Sequence, residues 1–186
     1  MFSAKFNFLN KKISGGGSFT PVAFVITSGT SRTVPSGATS MKAWAIGGGG
    51  GGFKDTISCG SEHDGGYGGE SVKTYSVTGG ATITYAVGAA GIQGDNGGAA
   101  NTAGGNTTVT YGGVTITGTG GGTSTDSTGS GGDFNRVFYA AGVLDFQGRV
   151  AAVTLSGSSL NAGFKGTATA STATNGAPGG IVLYFT

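Results

Sequence analysis

Charge is scarce in this chain of 186 residues: only 10% are Asp, Glu, Lys or Arg, and the formal net charge is +2. The few basic residues are scattered and no Arg-Gly-Gly repeat occurs, so the sequence has no nucleic-acid footprint. Low charge beside 37% hydrophobic and 10% aromatic residues is also the reverse of a disordered composition. One cysteine, Cys59, excludes an intrachain disulfide framework. Three prolines and no sustained Gly-X-Y period exclude a collagen triple helix. No run approaches the ~18 apolar residues of a membrane span, so membrane insertion is not expected. The first residues lack a continuous apolar segment, so no signal peptide is expected either. No segment holds a 3.6-residue apolar period, which predicts a near absence of helix.

Glycine is what the chain has instead, at 42 positions. Six in a row, Gly47 to Gly52, follow directly on the strand-like run Met41–Ile46. A flexible tether is normally flanked by polar sequence; this one leaves a segment that reads as buried. Ordering so much glycine costs on the order of 0.5–1 kcal/mol per residue relative to alanine. Close backbone packing with satisfied hydrogen bonds, or burial in a symmetric oligomer, has to offset that. A polyproline-II strand, with three residues per turn and a rise of about 3.1 Å, would carry six glycines over ~19 Å. In a tight bundle of such strands, positions facing a neighbour must lack a Cβ. Gly65-Gly66-Tyr67-Gly68-Gly69-Glu70 has that Gly-Gly-X register, and Gly94-Asp95-Asn96-Gly97-Gly98-Ala99 can be read the same way. Mobile glycine loops are the competing reading.

Between the glycine blocks the sequence reads as β. Strands are expected over Val22–Thr27 and Thr39–Ile46, with Ser31–Val34 leading into a turn at Pro35-Ser36-Gly37. Ser71–Val77 and Thr82–Val87 read as a hairpin joined by Thr78-Gly79-Gly80-Ala81, and Thr107–Tyr111 with Val114–Thr117 as a second one across Gly112-Gly113. Arg136–Ala141, Arg149–Leu155 and Ile181–Phe185 complete the set. This makes residues 19–186 one glycine-rich β domain. Residues 1–18 stand apart as an arm and glycine hinge, in which Phe2, Phe6, Phe8, Leu9 and Ile13 alternate with lysines. The arm reads either as a partner-docking segment or as a frayed terminus.

The order of these blocks resembles the glycine-rich domain of bacteriophage tail-fibre and other virion-surface proteins. The stretch Thr33–Ile46 followed by Gly47–Gly52 carries the likeness. So do Gly65–Ser71, the strand ending Tyr85-Ala86-Val87-Gly88, and the closing Gly179-Gly180-Ile181-Val182-Leu183-Tyr184. The resemblance implies an all-β, jelly-roll-like β-sandwich with polyglycine-II-like insertions. It further implies a homotrimer displayed on a virion, made in the host cytoplasm, and engaged in host attachment through a surface glycan or receptor. The arm would then contact other virion proteins. Large fibres of this kind carry a long shaft, which is missing here, and this raises a tip, head-fibre or decoration role.

Two loops hold the candidate site residues. Phe53–Asp64 contains the only histidine, His63, and the only cysteine, with Asp55, Glu62 and Asp64; it reads as a recognition loop, as a plain solvated loop or as a metal site. The spacing matches no recognised ligand set, and no cofactor or metal is expected. Tyr67 lies just beyond it. The second loop, Asp126–Phe134, offers Asp126, Asp133 and Phe134, with Tyr139 and Phe146 near in sequence. Aromatics beside acids suit sugar contact; core packing explains Tyr139 and Phe146 equally. No nucleophile elbow or phosphate loop is present, so an enzyme is not expected. Ice binding is a rival from another class. It rests on the likeness of the glycine blocks to antifreeze bundles and on the Thr/Ala stretch Gly166–Thr174.

Overall fold

The computed structural model describes residues 19–55, 61–138, 155–156 and 162–186. The proposed docking arm, Cys59, Tyr139 and Phe146 lie outside the described residues. Among the described residues there is no helix; the protein is all-β.

The described residues form twelve strands: β1 (Val22–Ile26), β2 (Ser31–Thr33), β3 (Ser40–Ile46), β4 (Phe53–Lys54), β5 (Gly69–Ser76), β6 (Thr82–Ala86), β7 (Gly94–Asp95), β8 (Thr107–Tyr111), β9 (Val114–Gly118), β10 (Phe134–Val137), β11 (Leu155–Ser156) and β12 (Gly180–Phe185). They form a six-stranded sheet ordered β10-β5-β3-β12-β1-β11, a four-stranded sheet β2-β6-β8-β9 and a two-stranded pair β4-β7. Every neighbouring pair in the two large sheets is antiparallel except β1–β11.

Alternation along the strands explains why the two large sheets face each other. Met41, Ala43 and Ala45 of β3 share one face with Ile181, Leu183 and Phe185 of β12, and all pack against Ile83, Val109 and Ile116 of the four-stranded sheet. The opposite phase of β3 and β12, Trp44, Ile46 and Val182, packs with Val72, Phe138 and Ala162 on the far side of the large sheet. The central strands are therefore buried on both faces, which is why they read as near-continuous apolar runs.

The hairpin Val114 enters is as expected. β8 and β9 pair from Thr107↔Gly118 to Tyr111↔Val114, and Gly112 and Gly113 both have positive φ, 58° and 79°. Two such residues in a row are what a two-residue turn of this twist requires. The other expected hairpin is not formed. β5 pairs with β3 and β10, whereas β6 pairs with β2 and β8. The connection Val77–Ala81 crosses between sheets instead. It is held there by Val77 N donating to Thr39 O at 3.0 Å and by Gly80 N and Val34 O at 2.9 Å. Partners distant in sequence outcompete the local turn because β3 offers β5 seven paired residues with apolar side chains on both faces.

Candidate functional site: a side-chain-free lattice and its rim

Gly47–Gly52 continue β3 without a break and all six are buried. Each donates its amide to another segment at 2.8–3.0 Å, and the partner changes with every residue. Gly47 and Gly50 donate to Gly69 and Gly66, Gly48 and Gly51 to Gly105 and Thr102, and Gly49 and Gly52 to Ala177 and Thr174. The repeat is three residues, so three segments running antiparallel to Gly47–Gly52 surround it. In return, Gly121, Gly91, Gly166 and Gly94 donate to the carbonyls of Gly48, Gly49, Gly50 and Gly52, and Asn101 Nδ2 donates to Gly51 O at 2.7 Å. These amides come mostly from three further segments, 88–94, 118–122 and 163–167.

The six outer segments also bond to one another around a closed ring. Gly66 donates to Gly122, Gly104 to Gly121, Gly105 to Ala89, Gly176 to Gly91, Ala177 to Phe164, and Gly65 to Gly166. Six of the seven segments are direct extensions of sandwich strands: those of β3, β5, β6, β8, β9 and β12. The seventh, 163–167, fills the remaining gap between the extensions of β5 and β12. The glycine blocks thus cap the sandwich at the end where strands of both sheets run on together.

The ban on side chains is explicit in the geometry. A Cβ built on Gly47 or Gly50 would strike the carbonyl of Thr119 or Gly122, on Gly48 or Gly51 that of Ala89 or Ile92, and on Gly49 or Gly52 that of Phe164 or Thr167. Carbonyl oxygens occupy the Cβ positions, where a Cα–H can meet them as weak hydrogen bonds. Within Gly65–Gly69 the glycines are buried while Tyr67 is half-buried at the outside. The register does not extend through Gly94–Ala99, however. Gly94 belongs to the lattice, but Gly97 and Gly98 are exposed in a turn, where Asp95 Oδ1 accepts the Gly97 amide at 3.0 Å.

The candidate side chains lie in three places around this lattice. At its far end, β4 and β7 pair in parallel. Phe53 and His63 exchange backbone hydrogen bonds of 2.9 and 3.0 Å, and their rings stack 5.3 Å apart. Lys54 Nζ lies 3.7 Å from Asp95. Asp55 departs from the exposed-loop expectation: it is 1% exposed and accepts a hydrogen bond from Asn96 Nδ2. The chain turns it inward beneath the 95–99 turn, so it offers nothing to a receptor. Glu62 is exposed. His63 Nδ1 lies 3.4 Å from the Asp64 carbonyl, with its ring engaged by Phe53.

On one flank, Asp64 Oδ2 pairs with Lys165 Nζ at 2.8 Å while Oδ1 accepts the Ala168 amide at 2.8 Å. The hydrogen bond from Lys165 holds the Asp64 carboxyl below the usual carboxylate range, and Asp64 in turn raises the Lys165 ammonium above its ordinary value. The same ammonium stands 5.3 Å from the Tyr67 ring centroid. Phe164 meets that ring edge-on, and Asp126 Oδ1 accepts the Tyr67 amide at 2.9 Å. Asp64 and the Tyr67 ring thus meet at Lys165, and Asp126 joins them through the Tyr67 amide.

Asp133 and Phe134 form a third group at the β10 edge of the large sheet. Asp133 bonds Lys73 Nζ at 2.8 Å and the Thr74 amide at 2.9 Å, which hold its carboxyl below the usual range, the lysine bond most strongly. Phe134 is 52% exposed, with the Arg136 guanidinium 5.6 Å from its ring. Arg136 pairs with the fully buried Glu70. Sequence reasoning missed Lys73, Arg136, Phe164 and Lys165. The signal for the last two was their position between Gly163 and Gly166, where a glycine register leaves only outward places for side chains.

Among the described residues there is no pocket, and no three His, Cys, Asp or Glu side chains converge as metal ligands. No protein-family model and no curated protein matches the chain.

Proposed function

We propose that this chain is a non-enzymatic surface protein of a bacteriophage particle, trimeric, whose glycine-rich end faces outward and takes part in host attachment. In this reading the seven glycine segments form a polyglycine-II bundle on a jelly-roll-like sandwich, and residues 1–18 anchor the chain to other virion proteins. The observation that carries the reading is the lattice itself. It is densely hydrogen-bonded backbone that needs no side-chain core, so its outward positions are free to hold recognition groups such as Tyr67, Asp64, Asp126 and Lys165. An aromatic ring flanked by an ammonium and carboxylates suits a glycan, whose hydroxyls need donors and acceptors beside an apolar face.

A purely structural decoration role is the second reading. It is favoured by the way Asp64, Asp126 and Asp133 already serve internal hydrogen bonds. Ice binding is disfavoured: Gly166–Thr174 folds back on itself, with Ala168 bridging Ala173 and the Thr169 and Thr172 hydroxyls 2.8 Å apart. Binding of the purified full chain to intact host bacteria separates the first two readings. Attachment predicts saturable binding that Tyr67→Ala and Phe134→Ala weaken. No binding by a folded trimer would sink attachment and leave the decoration role.

A further inference from the structure

The sequence contains two Asn-Gly dipeptides, Asn96-Gly97 and Asn175-Gly176, and the structure puts them in opposite circumstances. Asn-Gly is the pair most open to attack of a backbone nitrogen on the preceding side-chain amide, because glycine offers no Cβ to obstruct it. Gly97 is exposed, and a Cβ there would meet nothing nearer than Asp95 Oδ1 at 3.7 Å. Its amide donates only sideways, to that same carboxylate at 3.0 Å. Gly176, by contrast, is a rung of the lattice. Its amide donates to Gly91 O at 2.9 Å and its Cβ position is closed by the Gly49 carbonyl. Both asparagine side chains are hydrogen-bonded, Asn175 Oδ1 accepting from the Gln93 amide at 2.8 Å and Asn96 Nδ2 donating to Asp55, so the contrast lies in the glycines.

We propose that Asn96 is a self-modification site whose conversion to aspartate or isoaspartate unlatches the far end of the glycine lattice. The Gly97 nitrogen gives up its proton to the Asp95 carboxylate or to water and bonds to Asn96 Cγ. The Cγ–Nδ2 bond then breaks and the nitrogen leaves as ammonia, with protons supplied by water. The resulting succinimide is opened by one water molecule at either carbonyl, giving aspartate or isoaspartate. No oxidant, metal or second protein is consumed.

The consequence follows from what Asn96 holds. Its Nδ2 donates to the buried Asp55, at the point where β4 and β7 close the lattice and Gly94 N bonds Gly52 O at 2.9 Å. Conversion replaces that donor with a second carboxylate facing Asp55, and like charges at a buried carboxylate disfavour the closed form. The far end of the lattice then opens with the age of the protein, on a schedule set by pH and temperature.

The test is peptide mapping of the purified full chain during incubation at mildly alkaline pH, following the mass gain of about 1 Da and the isoaspartate content. Position 96 should convert roughly tenfold or more faster than position 175, since the lattice must open before Gly176 can react. Gly97→Ala should slow the conversion while leaving the fold intact. Asn96→Asp, the direct mimic, should speed hydrogen exchange at the Gly94 amide with little change in β3. Equal rates at the two positions, an unmodified Asn96, or unchanged Gly94 exchange in Asn96→Asp would each overturn the proposal.

Discussion

The sandwich and the glycine lattice share strands yet are stabilised by opposite means. In the sandwich, Phe185, Leu183, Ile116 and Val109 exclude water with their side chains, and the backbone ladders run between neighbours in one plane. In the lattice the extension of β3 has no side chains to bury; its amides fan out to three neighbouring segments and its carbonyls accept mostly from three others, a ring of six. One region tolerates small changes of side-chain volume. The other tolerates no side chain at its inward positions, because carbonyl oxygens already fill the Cβ positions of the glycines there. The lesson is that glycine content alone says little about order; what matters is whether every donor has a partner.

The comparison can be broken by exchanging the two kinds of change. Phe185→Ala deletes a fully buried ring and should cost about 3–5 kcal/mol, measured by denaturant unfolding. Gly49→Ala adds one methyl group, against the Phe164 carbonyl. It should cost about 3 kcal/mol, from overpacking and a displaced hydrogen bond. A near-neutral Gly49→Ala would mean the lattice yields as a loop does.

Titration sharpens the contrast at a smaller scale. Burial first, and then the Asp133 charge, push the Tyr75 hydroxyl in the sandwich up to about 12. A raised pKa stabilises the neutral form in the fold. That contribution is whole below pH 10 and is lost as pH rises from 10 towards 12. Asp64 on the lattice flank is shifted the other way by Lys165. Its contribution is present above pH 4 and fades as pH falls through the lowered folded value. Because this pair is partly exposed, less than about 1 kcal/mol is at stake. The Ala168 amide, bonded to Asp64, reports it: its chemical shift should titrate in acid, and Asp64→Asn should abolish that titration.

The sandwich was legible where pattern and partner agree. β3 and β12 read as strands because both of their faces are apolar, and β8–β9 because Gly112-Gly113 supplies the turn. Thr78-Gly79-Gly80-Ala81 looked equally like a turn, yet it bridges two sheets, since residue order says nothing of which strand lies nearer in space. In the glycine blocks, Tyr67 could be placed outward from its register. Gly97 and Gly98 could not be told from lattice glycines, because the turn depends on the Asp95 side chain. The candidate site was legible by residue type but not by grouping: no local signal tied Asp64 to Lys165, or turned Asp55 inward.

Hydrogen exchange at the amides of Gly47–Gly52, set against those of β3, tests the account most directly. Ordered lattice amides should be protected to within the range of β3 itself, opening only with the sandwich. Exchange at the rate of an unstructured peptide, with β3 still protected, would contradict it.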